Sequence, residues 1–259
     1  MHTEELLLFA ADTARLMLES GGETYRAEEC AISIITSQGG AEAECFATAT
    51  GLMLSFVSDD GKTHTVVRRI KKRIMNLEKV SRIDRMVRDL KTDQIGFEEA
   101  ESELDRIERL PERSGKTRIA AGAFGAAFFA LLFRADVREA FAAFFIGAFV
   151  ALVVRLSARL RMPDFIANLA GGALAAFCTL LLVQVGLLYR ADVTIIGVIM
   201  LLVPGVAITN AIRDTIAGDF VAGLARGAEA FLAAAAISAG TGGAFALWQI
   251  LQPFFGKGA

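Results

Sequence analysis

The stretch LLVPGVAITNAIRDTIAGD, Leu201 to Asp219, decides how the rest of the chain is read. It begins as a lipid-compatible helix, then carries a Pro-Gly pair, a threonine, an asparagine and an Arg-Asp pair. Pro204 removes a backbone donor and clashes with the preceding turn, and Gly205 adds freedom at the same place. Carbonyls freed by such a break cannot stay bare in lipid, so breaks persist where they are buried in protein or line a wet cavity. Asn210, Arg213 and Asp214 fall at i, i+3 and i+4 and so share one helical face. Amides after the break and a guanidinium suit a carboxylate. Thr209 and Asn210 suit an amine or hydroxyl, and Asp214 balances Arg213 or meets an ammonium group. The plainer reading is a kink followed by an interfacial ion pair.

Working outward, the 259 residues are 54% hydrophobic and 22% charged, with a mean hydropathy of +0.48. That average hides two parts. Residues 1–116 hold 17 of the 27 Lys/Arg and 22 of the 29 Asp/Glu, so a charged segment precedes an apolar one. The net charge of −2 argues against nucleic acid as the main partner. Cys30, Cys45 and Cys178 are far apart, and His2 and His64 are the two histidines, so no zinc spacing exists and neither metal nor cofactor is expected. Free thiols beside a charged domain fit a reducing cytosol, and the acidic, amphipathic N-terminus does not read as a signal peptide.

Periodicity predicts a helix over 4–20 stopped by Gly21-Gly22, and a second helix capped by Thr24 and ended by Gly39-Gly40. Three β-like runs follow, 44–49, 52–57 and 64–70, the last two joined by the turn Asp59-Asp60-Gly61-Lys62. Polar helices are expected over 76–92 and 96–110. Beyond Ile119 the hydropathy changes class, and five spans are read at about 117–133, 137–156, 165–188, 193–212 and 228–251. Each approaches the ~20 residues that cross ~30 Å of hydrocarbon. The fold class is a polytopic α-helical membrane protein of about five transmembrane helices with an N-terminal α+β cytoplasmic domain. The domains are 1–116 and 117–259.

Arg109, Arg113, Lys116 and Arg118 precede the first span. Arg155, Arg159 and Arg161 follow the second, and Arg213 and Arg226 follow the fourth. Arg134, Arg138, Arg190 and Lys257 stand on the other side. That bias places the N-terminal domain in the cytoplasm and, with five spans, the C-terminus outside. Arg138 and Glu139 sit at the entrance of the second span. Glu229, just inside the last span, is a candidate ionisable site, and Asn168 a weaker polar one. Gly122 and Gly125, Gly171 and Gly172, and the GxxxG of Gly223 and Gly227 suit close helix packing.

Both signature regions resemble the threonine/serine exporter family. LVPGVAITNAIRDTIAGDFVAGLARGAEA (Leu202 to Ala230) is similar to its most characteristic stretch, and LMLESGGETYRAEE (Leu16 to Glu29) to the signature of its soluble domain. The resemblance spans essentially the whole chain. It implies site candidates Pro204, Gly205, Thr209, Asn210, Arg213 and Asp214 for solute, with Gly218, Asp219 and Gly223 beside them. In the soluble domain it implies Glu19, Ser20, Gly21, Glu23, Tyr25, Arg26 and Glu28. Gating or coupling then falls to Asp219, Glu229, Glu23, Arg26 and Glu28. Full-length members carry about ten spans, so this chain looks like the larger component of a split, two-component form. Its partner would be a smaller membrane subunit supplying the other half, and the location the bacterial inner membrane. The implied cargo is threonine or serine, with succinate as the alternative.

No GxxxxGK[ST] loop is present, so proton coupling is expected rather than ATP. Two other classes compete. A membrane-anchored hydrolase would use His64 beside the Asp59-Asp60 turn, although no nucleophile elbow frames it. A signalling scaffold would dock a partner on the charged helix Phe97 to Leu110. The broken span favours transport over both, since an anchor needs no break.

Overall fold

The structure, a computed structural model, describes residues 3–71, 73–111 and 114–255. His2, Arg113 and Lys257 of the sequence argument lie outside them. The chain divides into two compact units, Met1–Pro111 with Val206–Gly227, and Glu112–Gly205 with Ala228–Ala259.

The first unit begins with α1 (Thr3–Glu19) and α2 (Thr24–Ser37). Gly21 stands at φ +88°, Gly22 N–H donates to Met17 O at 2.9 Å, and Gly21 N–H to Leu18 O at 3.1 Å. This is a Schellman stop, and a glycine carries the left-handed residue without a Cβ penalty. The reversed chain then starts α2, whose N-cap is Glu23 and not Thr24. The expected Thr24 cap is therefore corrected: its hydroxyl is drawn away to another partner described below.

An antiparallel sheet follows in the order β1 (Ala41–Ala47), β2 (Gly51–Val57), β3 (Thr63–Arg69). Alternation sends Leu52, Leu54 and Phe56 inward, where they join Met17, Leu18, Ile34 and Ile35 in one core. The helices α3 (Leu77–Lys91) and α4 (Phe97–Glu108) add Ile83, Met86, Leu90 and Ile107. Arg68 of β3 donates to both oxygens of Asp12 on α1, at 3.0 and 3.3 Å, fastening sheet to helix. These elements match the α+β reading to within a few residues at each end.

The second unit holds α5 (Gly115–Leu132), α6 (Val137–Arg159), α7 (Asp164–Gln184) and α8 (Ala191–Ile199), together with most of α10 (Phe220–Leu251). Its core is made of small groups, Ala126, Ala130, Ala143 and Ala175 around Val150 and Val198. A Cβ added at Gly172 would stand 2.6 Å from Ile237 O, so α7 and α10 touch backbone to backbone. Among the described residues three helices are long and apolar enough to cross a membrane: Val137–Arg159, Asp164–Gln184 and Phe220–Phe254.

Of the five expected spans, the first (α5, 18 residues) and the fourth are not among these three, and the fifth begins earlier than expected. The predicted helix over 193–212 is two pieces, α8 and α9 (Gly205–Ile216), of 9 and 12 residues. Neither covers ~20 residues alone. The last turn of α8 tightens, with Leu201 N–H donating to Val198 O and Leu202 N–H to Ile199 O, before Val203-Pro204 leaves the helical path. The last helix starts at Phe220, eight residues before the expected 228, because Gly218 stops α9 and α10 begins at once.

Candidate functional site

In the first unit, α9 and the start of α10 meet the turn between α1 and α2. The Schellman stop explains why that turn is receptive. It consumes the amides of Gly21 and Gly22 and leaves their carbonyls to be met from outside. Asn210 Nδ2 donates to Gly21 O at 3.3 Å, and Arg226 Nη2 donates to Gly22 O at 3.0 Å and to Thr24 Oγ1 at 3.3 Å. Thr24 Oγ1 in turn donates to Asp214 Oδ2 at 3.2 Å, and Arg226 Nε lies 3.2 Å from the same oxygen.

Asp214 and Thr24 are 0% exposed, Arg226 3% and Asn210 7%. A charge so deep is tolerated only when paired and hydrogen-bonded. Arg226 and Asp214 pair, while Thr24 and the Gly22 carbonyl take up further hydrogen bonds. Asp214 Oδ1 has no hydrogen-bond partner among the described residues.

A second layer surrounds this one. Glu23 Oε1 accepts from Arg213, and Glu23 Oε2 accepts from Arg26 Nη1 at 3.1 Å. Arg26 also bonds Asp84 on α3. The Arg213 side chain is 55% exposed, against 8% for that of Glu23. Glu28 accepts from the Ala47 amide at 2.6 Å. Burial raises its carboxyl above the ordinary range, the Ala47 hydrogen bond offsets part of this, and the Asp219 and Asp214 charges add to it. Asp219 is raised likewise, by burial and by Asp214.

The structure thus brings together Asn210, Arg213 and Asp214 of the membrane signature with Gly21, Glu23 and Arg26 of the soluble one. Gly223 is seated on α9, where a Cβ would lie 3.0 Å from Ala211 O. Gly218 instead supplies a left-handed φ of +96° that ends α9, with Asp219 N–H donating to Asp214 O. Among the described residues no atom stands within 4 Å of a Cβ added at Gly227. Thr209 and Glu229 are exposed, and Pro204 is half-buried at the break. Arg226 was read only as a loop charge, and Thr24 only as a cap. The signal for Arg226 was its place in an Ala/Gly-rich helix start, one turn beyond Gly223. Glu139, placed by the sequence at the entrance of the second span, is in the first turn of α6. It is 1% exposed, with Oε1 3.4 Å from the Tyr189 amide and Oε2 without a hydrogen-bond partner among the described residues.

The hydrolase ingredients assemble poorly. Ser58 Oγ lies 3.0 Å from His64 Nε2, but the same hydroxyl also reaches Asp60 and the Lys62 carbonyl, so nothing commits its proton to the imidazole. Burial pushes the Cys30 thiol up to about 11 and that of Cys45 to about 12, which keeps both protonated and inert.

Comparison with known proteins agrees with the two signatures. The model of the family described as "Putative threonine/serine exporter" (ThrE) matches residues 8–248. A threonine/serine exporter of Corynebacterium glutamicum is 26% identical over 182 residues, covering 68% of this chain and 37% of the relative. The matched region therefore spans little more than a third of that relative's length. No solved structure matches. With a family match over nearly its whole length, and with apolar helices of spanning length, this multi-pass membrane protein belongs to the threonine/serine exporter family.

Proposed function

We propose that the chain is one subunit of a secondary exporter that moves a small carboxylated solute out of the cell, threonine or serine first. The observation that carries the reading is the buried polar network joining the two signatures. A membrane anchor has no use for Asp214, Arg226, Thr24 and Asn210 enclosed together, since each costs desolvation. The network is also charge-balanced, three guanidinium groups (Arg26, Arg213, Arg226) against three carboxylates (Glu23, Asp84, Asp214). Balance suits a zwitterion, which brings one charge of each sign, better than a dianion such as succinate.

In this reading the N-terminal domain, residues 1–116, faces the cytoplasm across the inner membrane. A smaller membrane subunit supplies the other half of the path, and a proton moves with the solute, with Asp219, Glu229 and Glu28 as the exposed or semi-exposed carboxyls available. The two short helices flanking Pro204 resemble the discontinuous helices around which transporters build midplane sites.

The test is uptake of labelled threonine, serine and succinate into inside-out vesicles. It compares the chain alone, the chain with its partner subunit, and the pair bearing Asn210→Ala. Accumulation by the pair alone, lost with Asn210→Ala at unchanged protein level, supports the reading and names the solute. No movement of any of the three by an inserted, associated pair defeats it.

A further inference from the structure

We propose that Arg26 and Arg213 form a carboxylate-binding subsite, which Glu23 fills from within the chain and which a solute carboxylate takes over by displacing it. The inference rests on the exporter reading for the identity of the solute, and on local geometry for everything else.

Glu23 is the N-cap residue of α2, yet its side chain makes no capping bond. A carboxylate at that position ordinarily accepts from the helix amides two and three residues on. Here the backbone is extended, φ −70° and ψ 151°, and the side chain turns to two guanidinium groups. One oxygen takes Arg26 and the other takes Arg213. Two cations, one on each oxygen, is the arrangement in which a free carboxylate ligand is held. The occupant happens to be tethered.

The two arginines differ in a way that suits exchange. Arg26 is fixed independently by Asp84, so it keeps its place when Glu23 leaves. Arg213 has Glu23 as its partner among the described residues, and its side chain is more than half exposed. An arriving anion reaches it without unfolding anything. The Arg213–Glu23 pair is open to water on the Arg213 side only, Glu23 being 8% exposed, so screening weakens the contact from that side and a small solute competes for Arg213 there. Beneath it, the Asp214–Arg226–Thr24 layer is closed and holds α9 on the turn whichever carboxylate lies above. Glu23 keeps Arg213 from standing unpaired between cargoes.

The experiment measures equilibrium binding of labelled serine, threonine and succinate to the purified full chain with its partner subunit in lipid discs. Wild type, Glu23→Gln, Glu23→Ala and Arg213→Gln are compared, with thermal unfolding and vesicle flux recorded for each. Removing the tethered charge should tighten binding of the recognised solute by up to about fivefold, in both Glu23 variants, while Arg213→Gln abolishes it. Tighter binding without flux in any preparation keeps the subsite and defeats the exporter reading. Flux by wild type, with Glu23→Gln and Glu23→Ala folded yet binding no tighter or more weakly, overturns the subsite and leaves the exporter. Absence of both binding and flux overturns the two together.

Discussion

The two units are packed on opposite plans. The first buries its bulk: Phe56, Met17, Leu54, Ile83 and Leu90 are inside, and charged residues cover the outside. The second buries its smallest groups and turns its bulk outward, with Phe128, Phe141, Phe145 and Phe149 exposed while Ala126, Ala130 and Ala143 are at 0%. Water explains the first plan, because removing apolar area from it is the driving force. Lipid explains the second. Tails are as apolar as any side chain, so helices gain by close approach of backbones and leave large side chains to the hydrocarbon. The lesson is that burial carries different information in the two units. In the first a buried polar group is an exception to be explained, and Asp214 with Arg226 is that exception.

The largest expected effect breaks the exception itself. Asp214→Ala leaves Arg226 charged and uncompensated, and should cost about 3–5 kcal/mol, read as a loss of the first unit's cooperative thermal transition. Leu54→Ala tests the water-driven plan and should cost about 2–5 kcal/mol by denaturant unfolding of the same unit. Gly197→Val tests the lipid-driven plan. A Cβ there would stand 2.7 Å from the Ala130 amide nitrogen, so the change should cost about 1–3 kcal/mol through separation of α5 and α8. Phe128→Ala is the counterpart that should matter least, within about 0.5 kcal/mol. A cost for Phe128→Ala equal to that of Leu54→Ala would break the comparison.

A smaller effect separates carboxyls within the first unit by sign. Asp12 is pushed up by burial but held below its ordinary value by hydrogen bonds from Arg68 and Arg15, so its contribution is present above the ordinary carboxylate range and lost as pH falls. Asp219 and Glu28 are raised. The folded unit then keeps protons that the unfolded chain has released, so their contribution is full below the ordinary range and declines as pH rises through the raised values. Asp219→Asn should therefore raise the melting temperature slightly at neutral pH and leave it unchanged below the ordinary carboxylate range, as melting followed across pH would show.

The element order was legible because glycines and periodicity mark helix ends wherever water lies on one side. Gly21, Gly39 and Gly61 each stand at positive φ where a stop or turn was read. Span four was drawn as one helix because a hydropathy window averages over Met200–Pro204, although the Pro-Gly pair itself was noticed. The spacing puts Asn210, Arg213 and Asp214 on one helical face, but nothing in it shows that this face meets the turn between α1 and α2. Nothing local links Asp214 to Thr24, since that contact depends on tertiary packing across 190 residues. Glu139 stands at the entrance of the second span as read, but its burial is not legible locally, because an acid in the first turn of a helix is ordinarily solvated.

That separation has a consequence for how the protein is made. Residues 20–24 leave the ribosome long before α9, with helices α5 to α8 synthesised between them. At about 5–20 residues per second the wait is roughly 10–40 s. Throughout it the carbonyls of Gly21 and Gly22 and the Thr24 hydroxyl have only water, and the sheet and helices of the first 111 residues stand without their final layer. The N-terminal unit is therefore completed only after helices α5 to α8 have been made, and a nascent chain arrested before Asn210 should expose a turn that the finished protein closes.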